Sequence, residues 1–421
     1  MRVLLSALVC SASSDEVSNR GAPGRRPRFV APAAQLAKVD EASVINERGV
    51  AVDVASAFYR PHSSVSRDLA VLAARSAAEL GTCEALDVLT GAGIRAARYL
   101  VHAKARRVVA NDISTQTRVA DNLASVAQQH GLSAASWTVT HEDGCRLLSR
   151  LALDGHTFDI VDVDGFGSKG GIPVSLALGV VRFGGILVLN STDWQGFFGR
   201  GHSSTMAAYG AVAHACPGAP ENALRVLFGS AARDAAQRGM HLTPLASYAA
   251  PGPAFRLIVR VTRGKSASMA AKFGFNLCCR ECGCVGHVPW TAVDTKCCNC
   301  GAACMVSGPL WHGPLHCADA LRGWQLDAEE LGWLDPSGRD ELSSFLGCAL
   351  EETSAPEIPP YYVTLEQLAR AARLPRMPSR DSLHYAIQAR GFVATRTHCD
   401  HSALRTNAPW PLLLEAVSMV H

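Results

Sequence analysis

The chain has 421 residues, of which 48% are hydrophobic and 18% charged, and its formal net charge is only +3. This length allows two or three domains, since single cores rarely grow beyond about 250–300 residues. The composition is that of a globular protein. A membrane-spanning helix needs about 18 or more successive apolar residues, and the sequence contains no such run. We therefore expect no membrane partner.

The N-terminus resembles a targeting segment. MRVLLSALVCSASS combines one arginine, a short apolar run and small residues, as signal and transit peptides do. A basic stretch with proline and glycine, GAPGRRPRF, follows it. We expect residues 1–40 to be a disordered or targeting segment, with a plain disordered tail as the alternative. An intracellular protein is expected, in the nucleus, with the mitochondrion or plastid as alternatives because of this segment.

From about residue 66, segments of helical periodicity alternate with short apolar runs. The predicted elements are, in chain order, helix 66–80, strand 83–89, helix 93–103, strand 106–113, helix 118–131, strand 136–144, strand 157–164, a helix around 173–182, strand 184–193 and strand 255–263. This alternation predicts an α/β fold with a parallel, doubly wound sheet. We expect the last strand to close the sheet. The first domain is therefore predicted to span residues 41–263, with a boundary near residue 264.

A glycine-rich turn follows the first strand of this alternation. Gly91 and Gly93 let the backbone pass close to a ligand where the next helix begins. Asp112 comes at the end of the second strand, where a carboxylate can accept both hydroxyls of a ribose. The third strand ends at Asp143, which is placed to bind an adenine amino group. A tight strand–helix turn without a ligand is the alternative.

These strand ends fit two cofactors, NAD and S-adenosylmethionine, because both carry an adenosine. Three such strand ends in order favour a methyltransferase. An NAD-dependent dehydrogenase is disfavoured, since the sequence shows no second nucleotide-binding half and no catalytic His or Tyr–Lys pattern.

The fourth strand runs into an acidic and an aromatic residue, in VDVDGFG. Methyltransferases that act on the amino groups of bases carry an acid or amide, and then an aromatic residue, after this strand. An exocyclic amine conjugated to a purine is a poor nucleophile, and a carboxylate that accepts its N–H localises the lone pair. An aromatic ring can stack on the extruded base. We predict that Asp164 is the catalytic carboxylate and Phe166 its stacking neighbour; ordinary turn chemistry is the alternative.

Eight of the fifteen cysteines fall between residues 278 and 304. Two CxxC pairs, each followed by glycine, stand out among them: Cys279 with Cys282, and Cys297 with Cys300. Each pair brings two thiolates to one ion, and four thiolates make a closed, structural zinc site. Such clustering indicates metal ligation in a reducing compartment, with a disulfide knot as the alternative. The other four cysteines of the stretch leave the choice of ligands open.

The predicted second domain, residues 264–421, divides into this cysteine-rich part (264–358) and a small winged-helix-like unit (359–421). The elements predicted for that unit are helices 364–374 and 379–391 and a strand at 391–398.

Several stretches along the chain together carry a resemblance to a known family. They are ERGVAVDVASAFYRPHSSVSRDLAV (47–71), LDVLTGAGIRAARYL (86–100), VVANDIS (108–114), HEDGCRLL (141–148), DIVDVDGFGS (159–168), GGILVLNSTD (184–193), the CxxC pairs, GPLWHGPLH (308–316), PPYYVTLEQLA (359–369) and THCDHSALRTNAP (397–409). With these motifs the chain resembles the tRNA guanine-26 N2-dimethyltransferases, which use S-adenosylmethionine to methylate the exocyclic amine of a guanine in tRNA. The resemblance implies a Rossmann-like class I methyltransferase domain.

The resemblance also implies roles for individual residues. Arg67 and Arg95 would contact the cofactor, and the guanidinium of Arg67 is well shaped for its carboxylate. Asp112 would hold the ribose, while Asp143 and Gly144 would flank the adenine.

Further roles follow for the substrate, the metal and the partner. Asp193 would help to shape the guanine pocket. The zinc ligands favoured by the resemblance are Cys279, Cys282, Cys297 and Cys300. The partner would be tRNA, and we expect no obligate protein partner. Arginines of the winged-helix-like unit suit contact with tRNA phosphates, with a solvated basic face as the alternative; they are Arg370, Arg373, Arg376, Arg380, Arg390, Arg396 and Arg405.

Three departures from the family pattern leave the activity open. The family usually has proline between the acid and the aromatic residue, where this chain has Gly165, and glycine does not stiffen a loop as proline does. FYRP (58–61) stands in place of FYNP, and SRDL (66–69) in place of NRDL. An RNA-binding paralogue with weak or no catalysis is therefore the alternative to an active methyltransferase.

Overall fold

A computed structural model describes residues 44–55, 57, 59–77, 81–165, 171–250, 254–264, 267–292, 294–355 and 357–420. These residues all fall within one compact unit, Val39–His421. The predicted N-terminal segment 1–40 lies outside them, as does Phe166. No helix in the described ranges is long and apolar enough to cross a membrane.

A short hairpin and a seven-stranded sheet make up the first part of the chain. The hairpin strands are β1 (Val44–Glu47) and β2 (Val50–Asp53), and the sheet strands are β3 (Glu84–Asp87), β4 (Arg107–Asn111), β5 (Trp137–Thr140), β6 (Phe158–Val163), β7 (Val181–Ser191), β8 (Met240–Ala250) and β9 (Ala254–Arg263). The order in the sheet is β5-β4-β3-β6-β7-β9-β8. Strands β3 to β7 are parallel, and β9 and β8 are antiparallel to their neighbours. The predicted α/β fold with a doubly wound sheet is confirmed.

The helices of this part connect the strands and cover the sheet. They are α1 (Ser64–Arg75), α2 (Ile94–Val101), α3 (Val119–His130), α4 (Gly144–Leu153), α5 (Val174–Leu178), α6 (Trp194–Phe197), α7 (His202–Tyr209) and α8 (Ala219–Gln237). Every helix and strand predicted here occurs, with shifts of a few residues at its ends. Helix α8 was missed because it is buried almost all round and shows no polar stripe.

The sheet is buried on both faces, so successive residues of a strand enter different cores. Ile160 of β6 and Ile186 of β7 belong to the core covered by α1, α2 and α3. Their chain neighbours Val161 and Leu187 belong to the opposite core, under α4, α5 and α8. The strands therefore read as continuous apolar runs, and polar residues concentrate where the strands end.

The C-terminal part contains two small sheets and six helices among the described residues. Its elements are α9 (Ala267–Ala270), β10 (Phe273–Cys279), β11 (Val285–Pro289), β12 (Cys304–Trp311), α10 (Ala318–Glu330), α11 (Glu341–Thr353), β13 (Val363–Thr364), α12 (Leu365–Ala371), α13 (Arg380–Gln388), β14 (Ala394–Thr395), β15 (Ala403–Thr406) and α14 (Trp410–Met419). The sheet orders are β11-β10-β12 and β13-β15-β14. The two predicted helices correspond to α12 and α13, and the predicted strand at 391–398 is only the two residues of β14.

Helices α10 and α11 complete one face of the large sheet. Trp324 of α10 and Phe345 of α11 belong to the same core as Leu72 of α1. Residues after the predicted boundary near 264 thus pack into the core of the first domain. The boundary itself stays a prediction.

Candidate active site

The site lies where the parallel strands β3, β4, β5 and β6 end. Asn111, the last residue of β4, joins three of these strand ends. Its side-chain amide donates to the carbonyl oxygens of Val88 and Glu142, both at 3.0 Å, and its oxygen accepts from Thr140 Oγ1 at 2.8 Å. Asn111 is fully buried. The sequence analysis did not identify Asn111, although an asparagine at the end of an apolar strand can indicate an amide that links neighbouring strand ends.

The glycine turn after β3 has the conformation that its sequence predicted. Gly91 and Gly93 adopt φ values of 57° and 84°, which favour glycine. A Cβ on Gly93 would lie 2.8 Å from Cγ2 of Val119. The Gly91 N–H donates to Oδ2 of Asp112 at 2.9 Å, and the Ser114 N–H donates to Oδ1 at 3.0 Å. Asp112 is therefore anchored beside the turn, with lone pairs left on both oxygens.

Asp143 and Gly144 start helix α4. Oδ1 of Asp143 accepts the N–H groups of Cys145 and Arg146, both at 3.0 Å, so this side chain caps the helix. A Cβ on Gly144 would lie 2.6 Å from Cδ1 of Ile172. The cap holds Asp143 at the strand end but occupies only one of its two oxygens. Its contact with an adenine stays a prediction.

Asp164 is held at both carboxylate oxygens. Arg95, from α2, donates to Oδ2, and the Asn190 amide, from β7, donates to Oδ1. Nη2 of Arg256, from β9, lies 3.7 Å from Oδ1. The side chain is still 31% exposed, so a substrate can reach it. The sequence analysis identified neither Asn190, although it lies within GGILVLNSTD, nor Arg256, which lies outside the motifs.

The pKa of Asp164 reflects these partners. Burial by itself would raise the pKa of this carboxyl, but Arg95 and Arg256, with the hydrogen bond from Asn190, hold it well below its ordinary value of 3.8. Asp164 is therefore ionised at neutral pH. It is a weak base and a strong hydrogen-bond acceptor.

Arg95 lies among three carboxylates rather than in an open pocket. Besides Asp164, its Nη2 is 3.3 Å from Oδ1 of Asp87, and its Nε is 3.6 Å from Oδ2 of Asp162. Asp87 and Asp162 are fully buried, and Tyr99 donates to Asp162 at 2.7 Å. The cofactor contact predicted for Arg95 stays a prediction. The structure shows that Arg95 also forms ion pairs with these three carboxylates.

Arg67 is paired with a carboxylate that the sequence analysis missed. Its Nε donates to Oε2 of Glu47 at 2.9 Å, and its Nη2 donates to Oε1 of the same residue. Tyr59 donates to Oε1 at 2.7 Å, and Nη1 of Arg98 lies 3.3 Å from Oε2. Glu47, Arg67 and Arg98 are buried, and Tyr59 is half-buried. In this structure the carboxylate partner of Arg67 is Glu47. The contact of Arg67 with the cofactor carboxylate stays a prediction.

Two further residues, Asp193 and Phe166, were predicted for the site. Asp193 caps α6 through the Gly196 N–H at 3.4 Å, and Tyr209 donates to its Oδ2 at 3.4 Å. Asp193 lies two residues after the end of β7, and it is the residue that the resemblance assigns to the guanine pocket. Its role there stays a prediction. Phe166 lies outside the described residues, so its stacking role stays a prediction as well.

The four predicted metal ligands come together. The ligand atoms of Cys279, Cys282, Cys297 and Cys300 all lie within 4.8 Å of one another. The sulfurs of Cys279 and Cys300 are 3.5 Å apart, as are those of Cys282 and Cys297. Tetrahedral zinc–sulfur bonds of about 2.3 Å require sulfur separations of about 3.8 Å. Every cysteine in the described ranges is a free thiol, so this cluster is no disulfide knot.

A second buried cluster contains Glu352, His316 and His398. Oε1 of Glu352 is 2.8 Å from Nδ1 of His398, and Oε2 is 3.5 Å from Nε2 of His316. Nη1 of Arg405 donates to Oε2 at 2.7 Å. Because the guanidinium already neutralises this carboxylate, the cluster is an ion-pair network rather than a cation site. Arg405 is buried, so its predicted contact with tRNA phosphate is wrong.

Comparison with known proteins identifies the family. Residues 36–418 match the family described as N2,N2-dimethylguanosine tRNA methyltransferase. The chain belongs to this family. The resemblance read from the sequence motifs is thereby confirmed, as is the prediction of a methyltransferase.

Relatives of the chain come from archaea and eukaryotes and carry the name tRNA (guanine(26)-N(2))-dimethyltransferase. The protein from Aeropyrum pernix is 29% identical over 373 residues, which cover 86% of this chain and 88% of the relative. The protein from Mus musculus is 28% identical over 362 residues, covering 80% of this chain and 53% of the relative. The similarity thus extends through both the large sheet and the C-terminal part.

A solved structure of Trm1 from Pyrococcus horikoshii with S-adenosyl-L-methionine has the same fold. It superposes with a TM-score of 0.74 at 21% identity, covering 89% of this chain and 99% of that chain. The predicted Rossmann-like methyltransferase fold is confirmed by this likeness.

Proposed function

We propose that this protein transfers one or two methyl groups from S-adenosylmethionine to the exocyclic N2 of guanine 26 in tRNA. Membership of the family supports the reaction class. The observation that carries the proposal is Asp164, an ionised and partly exposed carboxylate fixed at the end of β6. Strand β6 is the neighbour of β3, whose end carries the glycine turn, and this edge of the sheet is where the nucleoside cofactor would bind.

The cofactor would lie along the ends of β3, β4 and β5. Asp112 would accept the ribose hydroxyls, the glycine turn would let the backbone approach, and Gly144 would keep space beside an adenine ring. When bound, S-adenosylmethionine supplies an electrophilic methyl group on a sulfonium. The deeply buried Asp87 and Asp162 add negative charge close to this region, which suits a cationic ligand.

Asp164 would accept an N–H of the guanine amine and so orient its lone pair for transfer. Its lowered pKa makes removal of the proton before transfer unfavourable. The amine becomes a strong acid once it is methylated, and even a weak carboxylate base then takes the proton. The carbonyl oxygen of Gly165 accepts from the Ile172 N–H at 2.9 Å. One of its lone pairs stays available for the second amine hydrogen.

The four thiolates would hold a structural zinc ion, which has no step in the reaction. Zinc suits a closed set of four sulfurs. Gly283 and Gly301, directly after the two CxxC pairs, have φ values of 76° and 74°. Their N–H groups bond back to the carbonyl oxygens of Cys279 and Cys297 at 3.1 and 2.9 Å. The turns are thus formed by the backbone, and the metal would lock them together.

The winged-helix-like unit would bind the tRNA backbone. Its exposed arginines are Arg370, Arg373, Arg376 and Arg396. Contacts of this kind depend on charge rather than on sequence. The compartment we propose is the nucleus, with mitochondrion or plastid as the alternatives.

An assay with one substitution tests the activity. The protein is incubated with methyl-labelled S-adenosylmethionine and a guanine-26 tRNA transcript, and the digested nucleosides are identified. Asp164→Asn should lower kcat by about 10²–10⁴-fold, because the amide cannot take up the proton. Asp319→Asn, at an exposed residue of α10, is the matched control and should retain full activity. A transcript with adenine at position 26 should stay unmodified.

The alternative, a tRNA-binding paralogue without turnover, predicts a different result. It is motivated by Gly165, where the family usually has proline. Measured binding of both cofactor and tRNA without any labelled guanosine would establish it and overturn the proposed activity.

A further inference from the structure

Asn190 and Arg256 form a polar pair inside the large sheet. They are directly opposite each other in the antiparallel pairing of β7 and β9. Opposite residues of such a pair project to the same face. Their exposed fractions are 9% and 3%. Asn190 lies next to the last residue of β7 and Arg256 is the third residue of β9, so both are close to the strand ends that carry the site.

Both side chains reach the same carboxylate oxygen. The Asn190 amide donates to Oδ1 of Asp164, and Nη2 of Arg256 lies 3.7 Å from that atom. Nη1 of Arg256 donates to the carbonyl oxygen of Ser66 at 3.3 Å, which fixes the guanidinium. Its Nε has no hydrogen-bond partner among the described residues. Burying an incompletely bonded guanidinium is costly, and a compact fold alone does not require it.

The charges around Asp164 explain why a second arginine is needed. Arg95 is shared among the carboxylates of Asp87, Asp162 and Asp164. One cation therefore faces three carboxylates, and the Tyr99 hydroxyl donates to one of them, Asp162. Arg256 adds a second positive charge on the side of Asp164 that Arg95 does not reach.

We propose that Asn190 and Arg256 are positioning residues of the methyl-transfer reaction, which hold Oδ1 of Asp164 while Arg95 holds Oδ2. The carboxylate then presents its remaining lone pairs to the guanine amine in one orientation. It also stays ionised among its acidic neighbours. The inference rests on the proposed function, because it assigns these two residues a task only if Asp164 accepts the amine proton.

The test compares Asn190→Ala, Arg256→Gln and Arg256→Lys with the unchanged protein. Methylation of guanine-26 tRNA is measured from about pH 5 to about pH 9, with cofactor affinity measured by calorimetry and stability by thermal melting. We expect Arg256→Gln to lower kcat by about tenfold or more at neutral pH, with KM and cofactor affinity little changed. The unchanged protein should show no acid limb of kcat in this range, because the pKa of Asp164 lies well below 3.8. Loss of the cation should raise that pKa and bring an acid limb of kcat towards the measured range.

The conservative variant separates positioning from folding. Arg256→Lys keeps the charge and should return the acid limb to its original pH, below the measured range, even if kcat recovers only in part. Asn190→Ala should lower kcat with a smaller shift of the limb, since a neutral donor is lost. Arg260→Gln, on the same strand but bonded to the Gly184 carbonyl, is the matched control and should leave the profile unchanged.

Two outcomes overturn the inference. One is an unchanged kcat and pH profile in both Arg256→Gln and Asn190→Ala. The other is an equal loss of activity at every pH, with lowered melting temperatures and no recovery in Arg256→Lys, which indicates a structural role only. Failure of the proposed function is distinguishable from either, because the unchanged protein would then methylate no guanosine. Failure of the role of Asp164 alone would leave Asp164→Asn fully active.

Discussion

Among single residues, Asp164, the carboxylate that we propose to be catalytic, is held more tightly than a motif suggests. Asp164 has donors on both oxygens and a pKa held below its ordinary value by two arginines, despite burial. We expect such a carboxylate to orient a donor group and to offer a negative charge, because it is a weak base. Its neighbour Gly165 is one of the three departures from the family pattern, and the structure shows which side chain lies beside it.

Leu89 occupies the space beside Gly165. A Cβ at position 165 would lie 2.5 Å from Cδ1 of Leu89, and the Leu89 carbonyl oxygen accepts from Nη2 of Arg95 at 2.9 Å. A side chain at position 165 therefore pushes on the segment that anchors Arg95, and through Arg95 on Asp164. Glycine here is matched to its surroundings.

We expect Gly165→Ala to lower the free energy of unfolding by about 1–3 kcal/mol, as overpacking does, and to lower kcat. The double variant Gly165→Ala with Leu89→Ala should recover part of the activity, because the second change removes the clash. Chemical unfolding and steady-state kinetics measure both effects. Additive losses in the double variant would show that Leu89 is not the obstacle.

At the scale of elements, the strand ends and the cysteine turns place the functional groups. The sheet order brings β3, β4, β5 and β6 side by side, so residues far apart in sequence meet at one edge. The two CxxC turns are joined by β10, β11 and β12, which bring the four sulfurs together.

The cysteine cluster yields a prediction with an internal control. Cys297→Ser should reduce bound zinc from about one ion per chain to nearly none, because serine is a poor ligand for a thiolate site. Cys298→Ser changes the adjacent cysteine, which is outside the four-sulfur group, and should keep the metal. Elemental analysis of both purified variants measures this. Loss of zinc in Cys298→Ser alone would reassign the ligand.

At the scale of the whole molecule, a buried ion-pair network joins the C-terminal unit to the rest. Glu352 of α11 accepts from Arg405 of β15 and lies beside His398. Arg405 also lies 3.3 Å from Glu221 of α8. These elements belong to three different parts of the chain. Removing one partner of such a network leaves another buried charge without compensation.

The network predicts a dependence of stability on pH. Burial would raise the pKa of Glu352, but His398, His316 and Arg405 hold it well below its ordinary value of 4.5. A depressed pKa stabilises the fold above about pH 4.5, and this stabilisation is lost as the pH falls towards the folded value. For His398, burial would lower the pKa, but Cys399 and Glu352 raise it well above 6.5. Its contribution is therefore present below pH 6.5 and is lost as the pH rises through the folded value.

We expect Glu352→Gln to lower the free energy of unfolding by about 3–5 kcal/mol at pH 6. Below pH 5, the free energy of unfolding of this variant should fall less steeply with decreasing pH than that of the unchanged protein. Urea unfolding across a pH series at constant ionic strength measures it. Glu351→Gln changes the exposed neighbour that pairs with Arg396 and serves as the control. Equal stability and an equal pH profile in Glu352→Gln would contradict the prediction.

Short-range patterns allowed much of the fold and part of the site to be predicted. These patterns are helical and strand periodicity, the turn with Gly91 and Gly93, and the CxxC turns. Each depends on residues only a few positions apart in the chain. Asp112 and Asp164 could be placed because parallel strands end at a common edge. Family resemblance added roles for these residues, but it did not reveal their partners.

Local spacing and motifs were sufficient to predict the α/β class, the family, the strand-end acids and the grouping of the two CxxC pairs, because these depend on residues close together in the chain. Only the tertiary structure decided that β9 inserts antiparallel beside β7, and hence that Asn190 and Arg256 reach Asp164. It likewise decided that Arg67 pairs with Glu47. The partner of a charged side chain depends on which helices and strands become neighbours in the fold, and burial strengthens the resulting ion pair. A short stretch of sequence does not show these neighbours, because they come from distant parts of the chain.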